Sequence, residues 1–447
     1  MQTIGAARRA LADGKISSRA LVEAALSRAA DKAGEGARAF TRLYARAAGA
    51  AAEAADRLAT AGGTPAPLAG IPISIKDLFD VAGETTLAGS VALKSSPPAA
   101  ADAAVVRRLR AAGAVIVGRT NMTEFAFSGL GLNPHYGTPA SPWDRKTRRI
   151  PGGSSSGAGV SVADGMALAA IGTDTGGSVR IPAAFNGVVG FKPTARRVPI
   201  AGSFPLASTL DSIGPLAPSV ACCAVIDAVM AGEEPVALPE RSVAGLRFAV
   251  PQRYVVDGLD DGVAAAYARA LSRLASAGAR LVEIQLAELE DIPRIMHKGA
   301  LVTVEAFAVH RDLLAAHGGE YDPRVASRIR LGANAAAADY YDMLRQRAEI
   351  IARVARITSD YDAVLCPTVA ITAPAIAPLE RDDDLYIKTN LAVLRNTTAF
   401  NFLDRCAISL PIHEPGSAAV GLMVVGEAMA DRALLGIAAA LERALER

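Results

Sequence analysis

The 447-residue chain is poor in the residues that build metal centres and disulfide frameworks: it has four cysteines, five histidines and one tryptophan. The cysteines are Cys222, Cys223, Cys366 and Cys406. Two are adjacent and none has the paired spacing of a zinc site. They read as buried free thiols, which fits a reducing compartment. The histidines are scattered and no His-Glu-x-x-His occurs, so no metal is expected and no histidine is given a role. No apolar run reaches the roughly 18 residues of a membrane span. The stretch Met1 to Lys15 lacks an apolar core long enough for a signal peptide. A cytoplasmic location is the expectation. Net charge is only +2, too little for nucleic acid or an anionic membrane to be a direct partner. The basic cluster from Arg145 to Arg149 reads as a solvated loop.

What is present is a globular balance, with 51% hydrophobic and 21% charged residues. Ser17 and Ser18 cap a helix, and a second helix runs from Arg42 to Leu58. The period then changes. Ile71 to Lys76 alternates as a strand, followed by Ala114–Val117, Leu168–Ile171, Val188–Phe191, Leu246–Val250, Leu281–Ile284, Val364–Cys366, Ala407–Leu410 and Val420–Val425. Helical patterns lie around Asp102–Ala112 and over Ser219–Met230, Asp260–Ala277, Val302–Leu314 and Ala338–Thr358. Alternating strands and helices predict an α/β fold with a large mixed, mostly parallel, twisted sheet covered by helices on both faces. One domain is expected over 1–447, with residues 1–64 helical, residues 65–220 forming the core and residues 221–447 the variable remainder. The segment Gly232–Arg241 reads as a linker within it, and Glu380–Asp384 as an exposed acidic loop.

The most unusual composition is IPGGSSSGAGVSVADGMALAAIGTDTGGSVRIPAAFNGVVGFKP, from Ile150 to Pro193. Two Gly/Ser clusters are joined by an apolar helix–strand unit. A flexible linker would be flanked by polar sequence on both sides. Glycine instead allows close backbone approach, and free N–H groups in such turns form anion nests of the kind that make an oxyanion hole. No Gly-x-x-x-x-Gly-Lys-Ser/Thr pattern supports a phosphate cradle. Gly153 to Gly157 satisfies Gly-x-Ser-x-Gly with Ser155 central, and His413 could complete a triad, but the hydrophobic strand that an elbow requires is missing before it.

These clusters, with Gly190-Phe191-Lys192-Pro193-Thr194 after them and Gly70-Ile71-Pro72-Ile73-Ser74-Ile75-Lys76-Asp77 and Gly118-Arg119-Thr120-Asn121-Met122-Thr123-Glu124-Phe125 before them, resemble the amidase signature family. The likeness is close over residues 65–220 and looser elsewhere. It implies the amidase-signature fold and a serine hydrolase with a Ser–cis-Ser–Lys triad. By residue, the nucleophile would be Ser178, the bridging serine Ser154 with a cis peptide before it, and the base Lys76. Thr175, Gly176, Gly177 and Ser178 would supply oxyanion amides. Ala126 and Ser128 match a segment bordering the acyl pocket. Ala158 departs from the serine that many relatives carry. No cofactor is implied.

The residue chemistry agrees. A serine hydroxyl needs a base, and an ordinary lysine is protonated at pH 7. Burial lowers a lysine pKa, and Lys76 ends an apolar run. The alternative for Lys76 alone is an exposed strand end paired with Asp77. Asp174 and Arg180 read as supports of the turn. Arg324, Arg328 and Arg330 could meet a substrate carboxylate, but read as a solvated helix face. The resulting expectation is an amidase cleaving a small carboxamide to carboxylate and ammonia or amine. The alternatives are the A subunit of a tRNA-dependent amidotransferase acting as a glutaminase, a hydrolase of ureides such as allophanate or carboxybiuret, and a non-catalytic module that kept the fold. The expected partner is a small amide, and a homodimer is compatible with the sequence.

Overall fold

The computed structural model describes residues 1–296 and 300–446. Eleven strands form one sheet: β1 (Phe40–Leu43), β2 (Pro72–Lys76), β3 (Val115–Thr120), β4 (Ala169–Asp174), β5 (Val189–Lys192), β6 (Ser212–Ala217), β7 (Arg247–Pro251), β8 (Arg280–Ile284), β9 (Ala363–Pro367), β10 (Ala407–Pro411) and β11 (Gly421–Val425). Their spatial order is β1-β3-β2-β4-β6-β5-β10-β11-β9-β7-β8.

The sheet is mixed, as expected. Parallel pairing is confined to β2 with β3 and β4, and to β7 with β8 and β9. The other neighbours run antiparallel, so the parallel share is smaller than the alternation of strands and helices predicts. The reason is connection length. Parallel neighbours need a crossover, supplied by Ala104–Ala111 between β2 and β3 and by Asp261–Ser276 between β7 and β8. No helix separates β10 from β11, which pair as antiparallel neighbours.

Every residue of β2 through β6 is buried, because helices cover both faces of this half of the sheet. The main core joins Ile73 and Ile75 of β2 to Val105, Phe191, Ile213 and Leu422. β2 lies between β3 and β4. A side chain at its C-terminal end is therefore walled off from solvent.

Two strands escaped the sequence reading. β1 is short, and β6 contains Gly214 and Pro215, both strand-breaking signals. The segment Glu380–Asp384 is not a free loop. It spans the end of one helix (Ile376–Arg381) and the start of another (Asp383–Phe402). Asp382 caps the second by accepting from the Leu385 N–H at 2.9 Å. That 20-residue helix was hidden because it buries polar residues, Thr389, Asn390, Asn396, Thr397 and Asn401 among them, which blur the apolar period. The basic cluster is also less solvated than expected. Arg145 bonds both oxygens of Asp164 at 2.8 Å, Arg148 pairs with Glu35, and Arg149 stacks over Trp143.

Candidate active site

β2 and β4 run parallel, so their C-terminal ends emerge side by side. Lys76 closes β2, and Thr173 and Asp174 close β4. Between these strands the chain passes through the first Gly/Ser cluster into the helix Ser156–Ala163. Gly157 opens that helix against the chain: a Cβ there would lie 2.1 Å from the Ala39 carbonyl oxygen and 2.8 Å from the Asn121 nitrogen. Only glycine allows this approach, which carries Ser154 up to the strand ends. The peptide bond joining Gly153 to Ser154 is cis.

Lys76 is fully buried and donates to two hydroxyls, Ser154 Oγ at 2.7 Å and Thr173 Oγ1 at 2.8 Å. It does not pair with Asp77, which holds Arg119 instead at 2.7 Å. Burial pulls the Lys76 pKa down to about 7, against the opposing pull of Asp174 and Asp211. Burial thus favours the unprotonated amine that a base requires.

Ser178 lies in the turn after β4 and is 4% exposed. Its hydroxyl has no hydrogen-bond partner among the described residues. Asp174 ties this turn together. Its carboxylate accepts from the Gly177 N–H at 2.7 Å, the Val179 N–H at 3.1 Å and the Arg180 side chain at 3.0 Å. Burial opposes ionisation of Asp174, but Arg180, Lys192 and Asn401 outweigh it and hold the carboxyl well below the usual range. Asp174 and Arg180 thus act as supports. Gly177 has φ 135°, and a Cβ there would lie 2.2 Å from Thr397 Oγ1, so no other residue fits the turn.

The expected oxyanion donors divide. The Gly177 N–H already donates to Asp174 and is not free for a ligand. The N–H groups of Thr175, Gly176 and Ser178 have no acceptor among the described residues. The Gly176 carbonyl accepts from the Thr397 and Thr398 hydroxyls. Ser155, the centre of the alternative Gly-x-Ser-x-Gly, donates to the Thr173 carbonyl at 3.4 Å. No described histidine meets Ser178. His135 contacts Glu124, His317 contacts Glu320, His310 contacts Tyr321, and His413 packs against Gly187. His297 lies outside the described residues.

A small cavity adjoins the strand ends, lined by Ala126, Thr173, Thr175, Phe204 and Asp211 among others. Phe125 and Ala126 hold left-handed φ angles of 50° and 61°, uncommon for non-glycine residues and frequent where a ligand site constrains the backbone. Ser128 sits further off and donates to Asn390 Oδ1 at 2.9 Å. Its hydroxyl fixes the segment against the helix Asp383–Phe402. A larger groove between the N-terminal helices, lined by Arg8, Leu58 and Arg110 among others, includes none of these groups.

Five residues of the site were not read from the sequence: Thr173 as second acceptor from Lys76, Asp211, and the helix residues Thr397, Thr398 and Asn401. Thr173 sat in view within the second cluster. Asp211 had no local signal. It accepts from the Thr175 hydroxyl at 2.5 Å and from the Leu206 and Ala207 amides. Burial raises its pKa to about 6 in spite of these donors. Among the described residues no group of three or more acidic, histidine or cysteine side chains could hold a metal.

Known proteins resemble the chain over most of its length. The Amidase family model matches residues 20–435. The chain is 39% identical over 400 residues to the 2-amino-5-chloromuconic acid deaminase of Comamonas testosteroni, covering 88% of this chain and 85% of that one. It is 34% identical to the A subunit of the glutamyl-tRNA(Gln) amidotransferase of Chloroflexus aggregans, covering 99% and 96%. A crystal structure described as an amidase superposes with a TM-score of 0.89 at 34% identity, covering 99% of each chain. The chain belongs to the amidase family and is a hydrolase of carbon–nitrogen bonds.

Proposed function

We propose that the protein hydrolyses a small carboxamide through an acyl-enzyme on Ser178, with Ser154 as proton bridge and Lys76 as base. The observation that carries this reading is the fully buried Lys76 amine 2.7 Å from the Ser154 hydroxyl, where burial lowers its pKa. Lys76 takes the Ser154 proton while Ser154 takes that of Ser178. Ser178 Oγ attacks the amide carbonyl. The oxyanion falls to the free amides of Thr175, Gly176 and Ser178, donors that need no rearrangement as charge develops. The proton returns through Ser154 to the leaving nitrogen, and water then cleaves the ester by the same path reversed. A base shared by two hydroxyls through one bridge needs neither histidine nor cofactor.

The test is ammonia release from a panel of amides, combined with mass spectrometry of the trapped adduct. An acyl group on the peptide containing Ser178 is expected. Acylation elsewhere, or turnover that survives Ser178→Ala, overturns the assignment. The panel should include acids that carry a removable amino group, because one relative is named a deaminase of an amino-substituted muconic acid.

A second reading rests on the 34% identity to the A subunit of an amidotransferase over nearly the whole chain: the protein works with a companion chain. Turnover by the protein expressed alone separates the two. An isolated chain that is inactive until a companion is added favours the second.

A further inference from the structure

In the turn after β4, backbone groups of Gly176, Gly177 and Ser178 are each held by a neighbour. Thr397 and Thr398 donate to the Gly176 carbonyl, Asp174 accepts from the Gly177 N–H, and the Ser155 N–H donates to the Ser178 carbonyl at 3.3 Å. Thr175 has no such backbone tie. Neither its N–H nor its carbonyl meets a partner among the described residues. What holds Thr175 is its side chain, which donates to Asp211 Oδ1 at 2.5 Å. A hydroxyl bond that short is typical of an ionised acceptor, and such bonds are about twice as strong as neutral ones.

Asp211 is itself firmly placed. Its other oxygen accepts from the Leu206 N–H at 3.0 Å and the Ala207 N–H at 3.1 Å. Ser212, the next residue, opens β6 opposite the end of β4 and donates to the Asp174 carbonyl at 2.8 Å. Thr175, Leu206 and Asp211 all line the small cavity, and so does Thr173, which shares the Lys76 amine with Ser154. One carboxylate thus joins the turn to the wall that faces it across the cavity.

A donor stabilises a developing oxyanion when it is aimed before the charge appears. The Thr175 amide has no backbone bond to aim it. Valine would fill the same shape as threonine and share its β-branched backbone preference, so the hydroxyl is what the Asp211 contact adds.

We infer that the Thr175 hydroxyl and Asp211 are positioning groups for the oxyanion: their bond fixes the Thr175 peptide against the cavity wall, so that its N–H meets the substrate carbonyl oxygen as charge develops there. This rests on the proposed acyl-enzyme at Ser178. Neither side chain reacts. One holds the peptide, and the other anchors it to the segment that carries Leu206.

The probe is a fluorophosphonate, which bonds its phosphorus to Ser178 Oγ with loss of fluoride and leaves a phosphoryl oxygen where the oxyanion would lie. It serves whatever the natural amide is. In Thr175→Val the second-order rate of Ser178 labelling, followed by intact mass, should fall about 10- to 100-fold, the scale of a small misplacement in a reacting site. Thr175→Ser should recover most of the rate. For the amide turned over fastest, the loss should lie in kcat with KM nearly unchanged, because the oxyanion forms in the transition state and not in the bound substrate. In an Asp211→Ala background, Thr175→Val should cost little more, since the bond is already gone. Should Asp211→Ala fail to fold, the two Thr175 variants decide by themselves. Equal labelling rates in the unaltered protein and Thr175→Val, a loss that Thr175→Ser does not recover, a loss confined to KM, or additive losses with Asp211→Ala would each overturn the inference. Absence of a label on Ser178 in the unaltered protein sinks the acyl-enzyme reading, and this inference with it.

Discussion

Lys76 Nζ rests 2.7 Å from Ser154 Oγ although 78 residues separate them in the chain. The contact joins the end of a central strand to a Gly/Ser loop. It also joins an amine to a hydroxyl that can pass its proton on. The Thr173 hydroxyl fixes the amine from a second direction at 2.8 Å.

Ser178→Ala removes one oxygen from a hydroxyl that bonds no described residue, so the fold should be unaffected. Turnover should fall about 10,000-fold or more, in line with loss of a serine nucleophile. A fluorophosphonate should label Ser178 in the unaltered protein. Thermal unfolding and intact-mass labelling check both points, and a label on Ser155 would restore the elbow alternative.

The pH profile follows from Lys76. In the proposed mechanism the active form is the neutral amine, and its pKa is lowered to about 7 by burial. kcat/KM should therefore be low in acid, rise through an apparent pKa near 7 and level off above it. Lys76→Met should abolish that limb together with most of the activity. A limb that survives the substitution assigns it to another group.

Asp211 stands close enough to favour the charged form of Lys76. Asp211→Asn removes that negative charge, which makes protonated Lys76 less favourable. The acid limb should move to lower pH. Its midpoint, measured as kcat/KM against pH, should shift down by about half a unit to one unit. A shift upward contradicts the electrostatic account.

The Asp174–Arg180 pair is wholly buried at 3.0 Å. Arg180→Met leaves a carboxylate without its counter-ion and should cost about 3–5 kcal/mol in stability. The double variant with Asp174→Asn should cost less than the sum of the two single ones. Denaturant midpoints measure both. Additive losses would mean that the two residues do not act as a unit.

Much of the site was legible because its pieces are local. The Gly/Ser clusters announce turns in which backbone meets backbone, and the alternation from Ile71 to Lys76 announces a strand that ends in a lysine. The nine strands expected from short apolar runs are all present. The two that were missed, β1 and β6, are four residues long in one case and interrupted by Gly214 and Pro215 in the other. Arg328, whose guanidinium lies over the Phe127 ring, was read with its helix neighbours as a solvated face, because periodicity places a side chain on a surface without saying what packs against it.

The order of residues along the chain settles the chemistry available: which hydroxyls, which amine and which glycine turns follow one another. Packing in three dimensions settles what that chemistry becomes. Lys76 acquires a pKa near 7 only because β3 and β4 flank its strand and exclude water. The turn that carries Ser178 is backed by Thr397, more than 200 residues away from Gly176. Asp174 claims the Gly177 amide and so selects which N–H groups remain free. Burial and long-range hydrogen bonding depend on which segments meet in space, and no local pattern records that.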